Sequence, residues 1–481
     1  DLEFLNFTTL ESRRFYCAEE LRLNRRLAPQ IYLDVIPIGG SHNHPVFGEQ
    51  PAIEYAVRMR RFASNNLMDR LLAQGLVTPQ HMDSLAATLS RFHDGLPSAA
   101  SDSTYGTAVK IHAATMQNFE QLQPLLPDKD DRNRLSSIKK LTETEYAAHE
   151  NNFSERRAQG CVRECHGDLH LGNIALIGGK PVPFDCIEFN PDLRWLDVMN
   201  EAAFPVMDLL QHNKSALAFR FLNAYLEATA DYAGISMLRF YLAFRAMVRA
   251  KISAIRASQP GLSKRARTKE LMTCRSYLAL SEQCLVQRHP ALIITHGLPG
   301  SGKTTFAQMA LERFGAIRIR SDVERKRLFG LSALEDSGAR ANENIYSIEA
   351  SQRTYARLHE LARTVLAAGF PVIVDAAFLM RSEREQFREL AQSLAAPFAI
   401  ASIHAPNSAL HARIALRRSQ AYDASEADVD VLKMLQAVQE PLAAQELACC
   451  AEFVNEEATE SFTAPQNWNR LQELLAQEDY D

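Results

Sequence analysis

The spacing of hydrophobic positions changes several times along the chain, and each change marks a segment. Cys17–Leu27, which contains AEELRLNRRL, has helical spacing. Two strand-like runs follow, Ile31–Ile38 and Ile53–Phe62, separated by the turn-rich GGSHNHPVFG. Residues 64–158 are mostly helical in period, residues 161–188 switch to short apolar runs between loops, and residues 195–258 return to helical spacing. A polar, basic stretch, Ser258–Lys269, reads as a connector; a helix then runs to about Gln287 and meets the breaker His289-Pro290. Beyond it strands and helices alternate strictly. Strand Ala291–Thr295, a Gly-rich loop and a helix come first, then strand Ala316–Arg320 with helical residues to about Gly369. Strand Pro371–Val374, a helix, strand Phe398–His404, a helix and a short strand Phe453–Asn455 complete the series. Such alternation predicts a parallel sheet covered on both faces. The expected organisation is an α+β domain over 1–258, a helical connector over 259–288 and an α/β domain over 289–481, with no internal repeat.

Composition narrows the class. Of 481 residues, 46% are hydrophobic and 23% charged, which excludes a disordered or collagen-like chain. Fifty-three Lys and Arg against 58 Asp and Glu leave a net charge of −5. That balance argues against bulk electrostatic binding of nucleic acid and leaves a local basic groove open. No apolar run approaches the ~18 residues of a membrane span, and no signal-peptide pattern opens the sequence, so a cytoplasmic protein without a membrane partner is expected. The eight cysteines, at 17, 161, 165, 186, 274, 284, 449 and 450, include no C-x-x-C pair and read as free thiols of a reducing compartment. Cys161, Cys165, His166 and His170 form the one set close enough to suggest a metal site. The first residue is Asp1 rather than methionine, which is consistent with a clipped N-terminus.

Residues 297–304 read GLPGSGKT, a full G-x-x-x-x-G-K-[ST] match between the apolar ALIIT and the amphipathic TTFAQMALERF. A polyphosphate must be wrapped by backbone N–H groups, and Gly297, Gly300 and Gly302 allow that turn without Cβ clashes. Leu298, Pro299, Ser301 and Thr305 complete the expected ATP-binding (or GTP-binding) segment. Lys303 is placed to reach the β and γ oxygens, and Thr304 to offer its hydroxyl to Mg²⁺. Asp322 follows the run IRIRS and Asp375 follows VIV, at the strand ends that face the ligand in open α/β sheets. Asp322 is the candidate proton acceptor and Asp375 the candidate Mg²⁺ ligand. Arg413 and Arg417, four apart on a predicted helix, would present two guanidinium groups as a lid over the transferred phosphate. With GLPGSGKTT, the segments IRSDVERKRLFG, VIVDAAF and DASEADVDVLKMLQAVQEPL resemble the P-loop kinases that include gluconate-kinase-like, polynucleotide-kinase-like and zeta-toxin-like enzymes. The resemblance covers about 290–460 and implies phosphoryl transfer from ATP or GTP to a hydroxyl, without choosing the acceptor.

A second constellation lies upstream. Residues 166–173 read HGDLHLGN, and Asp185 follows in PFDCIEF. Phosphoryl transfer of the protein-kinase type needs an Asp to orient the acceptor hydroxyl, an Asn a few residues on and a further Asp for Mg²⁺. Asp168, Asn173 and Asp185 occur in that order. The segment resembles the aminoglycoside phosphotransferase family, over roughly residues 1–258. That resemblance implies a protein-kinase-like fold, Asp168 as catalytic base, Asn173 and Asp185 as Mg²⁺ ligands, and Glu20 or Glu19 on an αC-like helix. EYAVRMRRF would lead to the hinge that holds adenine. The whole chain looks like a two-domain bifunctional aminoglycoside phosphotransferase/ATP-binding protein. It departs from that pattern in one respect: the first lysine is Lys110, and nothing before Glu19 builds a Gly-rich loop and a lysine strand, so the small lobe reads as truncated. Arg245, Arg249 and Arg256 also share a helical stripe, suited either to an anion or to carboxylate partners and solvent.

Three functions compete on these grounds. The first is an ATP-dependent phosphotransferase acting on a small-molecule hydroxyl, with the P-loop domain as its main nucleotide site. The second is a regulatory ATPase or nucleotide sensor with a degenerate kinase-like binding module. The third is a polynucleotide or nucleotide-sugar kinase.

Overall fold

A computed structural model of the chain describes residues 7–286, 289–333, 335, 347–420, 429–456, 462 and 465–476. Two units emerge: Asp1–Tyr225 with Met237–Gln287, and Leu226–Ser236 with Arg288–Asp481.

The first unit opens with helix α1 (Leu10–Asn24), whose N-cap Thr9 accepts from the Ser12 amide. It packs on a three-stranded antiparallel sheet of β1 (Tyr32–Ser41), β2 (His44–Phe47) and β3 (Glu54–Met59), ordered β2-β1-β3. The segment expected only as a turn therefore supplies β2, paired with β1 from Ile38↔Phe47 to Ser41↔His44. Four helices follow: α2 (Met68–Ala73), α3 (Pro79–Asp94), α4 (Ala108–Leu122) and α5 (Lys129–Ala158). Short strands β4 (Val162–Glu164) and β7 (Trp195–Asp197) pair antiparallel, and between them β5 (Ile174–Ile177) and β6 (Lys180–Pro183) form a hairpin. Helices α6 (Val198–Gln211), α7 (Ser215–Thr229), α8 (Ile235–Ser258) and α9 (Lys264–Val286) complete the run.

The stretch expected as a helical connector, 259–288, contains α9, and that helix is packed into the first unit. Cys274, Tyr277, Leu278, Ser281 and Leu285 repeat at helical spacing and are buried, and α9 packs on α5 and α6. Arg275 pairs with Asp131, and Arg134 with Glu282 at 2.5 Å, across the α5–α9 seam. The basic residues that suggested a linker are the solvent face of a core helix.

In the second unit the strands are β8 (Leu292–His296), β9 (Ile317–Arg320), β10 (Val372–Asp375), β11 (Phe398–His404) and β12 (Cys450–Val454). All pair parallel, in the order β12-β11-β8-β10-β9. The helices are α10 (Lys303–Phe314), α11 (Ser321–Leu328), α12 (Ile348–Ala367), α13 (Arg381–Ser393), α14 (Asn407–Gln420), α15 (Val429–Val438), α16 (Ala444–Ala448) and α17 (Pro465–Leu475). Because β8 lies between β10 and β11, the chain reverses its winding beside it, and a crevice opens at the carboxyl ends of these strands. Strand β12 begins three residues earlier than its pattern suggested, since Cys450 and Ala451 are buried beside Ile400 and Ala401.

Candidate active sites

In the second unit, the P-loop links β8 to α10. Gly297 has φ 146° and Gly302 φ 102°. A Cβ on Gly297 would lie 2.3 Å from the Ile403 carbonyl, and one on Gly302 2.3 Å from Asn455 Nδ2, so both conformation and space demand glycine. Gly302 is also the N-cap of α10 and offers no side chain to the first-turn amides, which stay available to an anion. The loop is braced from behind. Asn455 Nδ2 donates to the Ser301 carbonyl at 2.8 Å, and Thr295 Oγ1 donates to the Ala376 carbonyl at 2.7 Å, joining the ends of β8 and β10. His296 shares Ser402 Oγ with His404, at 2.8 and 2.9 Å; burial, then the charges of Arg384 and His404, push His296 down to about 4.

One cavity of 290 Å³ collects Pro299, Gly300, Gly302, Lys303, Thr304, Thr305, Asp322 and Asp375. Lys303 Nζ donates to the Leu298 carbonyl at 2.9 Å, folding the side chain over the loop. Asp322 stands in the first turn of α11. Asp375 is raised from its ordinary value by burial, with Asp322 adding to the effect and Arg320, Arg318 and Lys303 opposing it. Its Oδ2 is buried without a hydrogen-bond partner, 4.0 Å from Arg320 Nε. An orphaned carboxylate oxygen sharing a cavity with a threonine hydroxyl suits a hard divalent cation such as Mg²⁺, so Asp375 and Thr304 are chemically fit to hold one.

Arg413 lies elsewhere. Its guanidinium donates to the Gly300 carbonyl at 3.3 Å and to Asn455 O and Oδ1 at 3.2 and 3.1 Å. It thus props the P-loop from α14 rather than reaching over the cavity as a lid. Arg417 is on α14, but its side chain is outside the described residues.

Sequence reasoning missed several cavity residues. Glu383 and Tyr355 both line it, and Tyr355 Oη accepts from the Phe378 amide at 3.1 Å. Burial raises Glu383, against the lowering effect of its bond with Tyr355. Arg325 is one turn beyond Asp322, a spacing that IRSDVERKRLFG displays openly. Glu227, a residue of the second unit, takes from Arg318 at 3.0 Å and Arg320 at 2.8 Å, and no sequence signal pointed to it.

In the first unit, the loop before β5 brings the kinase-like residues together. Asn173 Nδ2 donates to Asp168 O at 3.0 Å and Oδ2 at 3.2 Å, and His170 Nε2 lies 3.6 Å from Asp168 Oδ2. Asp185 has φ 66° and its amide donates to Tyr32 Oη at 3.2 Å. The low polarity around Asp185 raises its carboxyl, and Asp168 adds to the rise. The loop hangs on Glu201, which is fully buried. Glu201 accepts from the His166 amide at 3.0 and 2.8 Å, the Gly167 amide at 2.8 Å and His93 Nε2 at 3.2 Å. Burial alone would raise Glu201; the bond and charge of His93 and the other donors bring it to about 2. Arg245 donates to the Gly167 carbonyl at 2.9 Å, 4.6 Å above the Phe204 ring, so one member of the arginine stripe holds this loop.

Of the two glutamates offered for α1, Glu19 pairs with Arg22 and Arg194, whereas Glu20 faces Glu188 and Asp185. Loss of hydration, then those two charges, raise Glu20 to about 7. Cys161, Cys165, His166 and His170 do not converge on a metal. His166 Nε2 donates to the Phe184 carbonyl, and His170 Nδ1 accepts from Gly172. Among the described residues, the group that does converge is His93, Cys165 and Glu201, and Glu201 is already committed to the loop.

The second unit thus carries a P-loop kinase-like domain. Residues 292–442 match the AAA domain family model. An uncharacterized protein of Mycobacterium tuberculosis strain H37Rv is 29% identical over 397 residues, 82% of this chain and 76% of that protein. A gluconokinase structure from Sinorhizobium meliloti aligns with 39% of this chain and 91% of its own, at 20% identity and TM-score 0.26. An amicoumacin kinase structure aligns with 56% of this chain and 78% of its own, at 12% identity and TM-score 0.36. No helix among the described residues is long and apolar enough to cross a membrane.

Proposed function

We propose that the protein is an ATP-dependent phosphotransferase whose main site is the P-loop cavity and whose acceptor is the hydroxyl of a small molecule. The observation that carries this reading is the convergence of Lys303, Thr304, Asp322 and Asp375 on one cavity at the switch point of a parallel sheet. The P-loop amides and the N-terminus of α10 bind the phosphate chain, and Lys303 leaves the Leu298 carbonyl to meet it. Asp322 orients the acceptor hydroxyl and takes its proton as the new phosphate ester bond forms and the bond to ADP breaks. Thr304 and Asp375 would hold Mg²⁺, which when bound would neutralise phosphate charge during transfer. GTP in place of ATP would use the same contacts.

In the first unit we assign Asp168 to the base role and Asn173 and Asp185 to the metal side of a second, kinase-like site. The eight cysteines form no disulfide among the described residues, which suits a cytoplasmic setting. The test is an acceptor screen with labelled ATP on the full chain and on Lys303→Ala, Asp322→Ala and Asp168→Ala. Lys303→Ala should abolish nucleotide binding at the P-loop. Asp322→Ala should remove transfer and keep nucleotide binding. If ATP turnover proceeds fully without acceptor and ignores Asp322→Ala, the phosphotransferase reading fails and the regulatory ATPase replaces it.

A further inference from the structure

Helix α15 forms one wall of the P-loop cavity. Val431, Met434, Leu435 and Val438 recur at i, i+3, i+4 and i+7, so they share one helix face, and all four line the cavity. The opposite side of α15 is fixed: Leu432 is fully buried against Leu410 and Ile414, with Val429 and Leu298 packed beside them. The stripe therefore cannot turn inward to hide. Met434 remains 51% exposed and Val438 47% exposed. Four apolar side chains thus line the same cavity as Lys303, Thr304 and Asp322.

Ser351, Tyr355 and Glu383 can serve some hydroxyls of a sugar or sugar acid, but those set against the α15 face would find no donor or acceptor there, and each unmet group is penalised. An aliphatic or aromatic body would instead remove the stripe from water. At 290 Å³ the cavity is at the lower end of small-molecule sites, which run to ~1,000 Å³. That size admits a compact molecule. Arg325, one turn from Asp322, adds a single cationic donor near the reacting end.

We propose that the acceptor is an amphipathic alcohol, its hydroxyl presented to Asp322 and its apolar body laid on Val431, Met434, Leu435 and Val438. This deepens the phosphotransferase reading and rests on it. The face of α15 becomes the specificity element of the site, and the P-loop remains indifferent to the acceptor's body.

The test uses the full chain with ATP and Mg²⁺ and compares 3-phenyl-1-propanol with glycerol and gluconate, followed by Met434→Gln and Val438→Thr, both at half-exposed positions that the fold tolerates. The expected result is a kcat/KM for the aromatic alcohol at least about a hundredfold above that for glycerol, as a shaped apolar site permits. Met434→Gln should lower it roughly tenfold, mainly through KM, and so narrow the preference over glycerol. Equal or better use of glycerol or gluconate, or an equal loss for all acceptors in Met434→Gln, overturns the proposal. So does a blank for every apolar alcohol. The parent reading is judged separately: if an ATP analogue binds with the same affinity to wild type and Lys303→Ala, the nucleotide site itself is wrong, whatever the acceptors show.

Discussion

Glu201→Gln is the sharpest perturbation of the first unit. The carboxylate receives the His166 and Gly167 amides and His93 Nε2 within 2.8–3.2 Å, in a site with no solvent exposure. A glutamine keeps the shape but turns one acceptor oxygen into a donor. With the amide nitrogen at Oε2 the Gly167 N–H loses its acceptor, in either orientation the bonds lose their charged partner, and bonds to a charged group are worth about 1.5–3 kcal/mol each. The titration gives a second measure. A carboxyl brought from 4.5 to about 2 holds roughly 3 kcal/mol of folding free energy at pH 7. Because the folded value is depressed, this stability is fully present above pH 4.5 and disappears as pH falls toward 2; about 2 kcal/mol of it is gone by pH 3. Urea unfolding followed by far-UV circular dichroism should therefore show the first unit's transition about 2–4 kcal/mol less stable in Glu201→Gln at pH 7, the gap narrowing at pH 3. A variant within about 0.5 kcal/mol of wild type at pH 7, or a gap independent of pH, would refute the claim that Glu201 suspends the HGD loop as an ionised acceptor.

Three further outcomes are expected. Gly302→Ala, with φ 102° and a Cβ placed 2.3 Å from Asn455 Nδ2, should abolish binding of a fluorescent ATP analogue at the P-loop while leaving Asp168-dependent chemistry untouched. Glu20→Gln should stabilise the first unit by on the order of 2 kcal/mol at pH 8 and by nothing at pH 4; the raised carboxyl stays protonated below its unfolded value and loses stability as pH rises through about 7. Equal denaturation midpoints at pH 8 would contradict the carboxylate crowding beside Asp185. Glu227→Ala should destabilise the second unit by about 2–4 kcal/mol, read as a shift of its thermal transition, because Arg318 and Arg320 lose the carboxylate that accepts from both.

Much of the second unit is legible in the chain because its logic is local. GLPGSGKT sits between a buried strand and an amphipathic helix, and Asp322 and Asp375 end or follow strands, so sequence spacing and spatial placement coincide. The contacts of Arg413 were not legible, because helical spacing says which face it occupies and not what that face meets; here it meets Gly300 and Asn455. The α15 stripe was present in DVDVLKMLQAV as an i, i+3, i+4, i+7 pattern, yet such a pattern reads as core until the structure shows Met434 and Val438 open. Glu201 and Glu227 were invisible for another reason. Each acts on donors that are dozens of residues away, and a lone glutamate in a helical stretch carries no mark of them. The α9 helix was legible from its spacing, while its packing was not, because its basic residues cover one side of a helix whose other side is buried.

The eleven residues Leu226–Ser236 give the second unit a discontinuous pedigree. Its gene segment cannot be lifted out at codon 288 as a self-sufficient cassette, because the carboxylate that balances Arg318 and Arg320 would stay behind. Fission of the gene at that point would leave the second product without Glu227, and a fusion partner swapped in upstream would have to reinvent it. The two halves are therefore expected to have been inherited together rather than shuffled as separable modules.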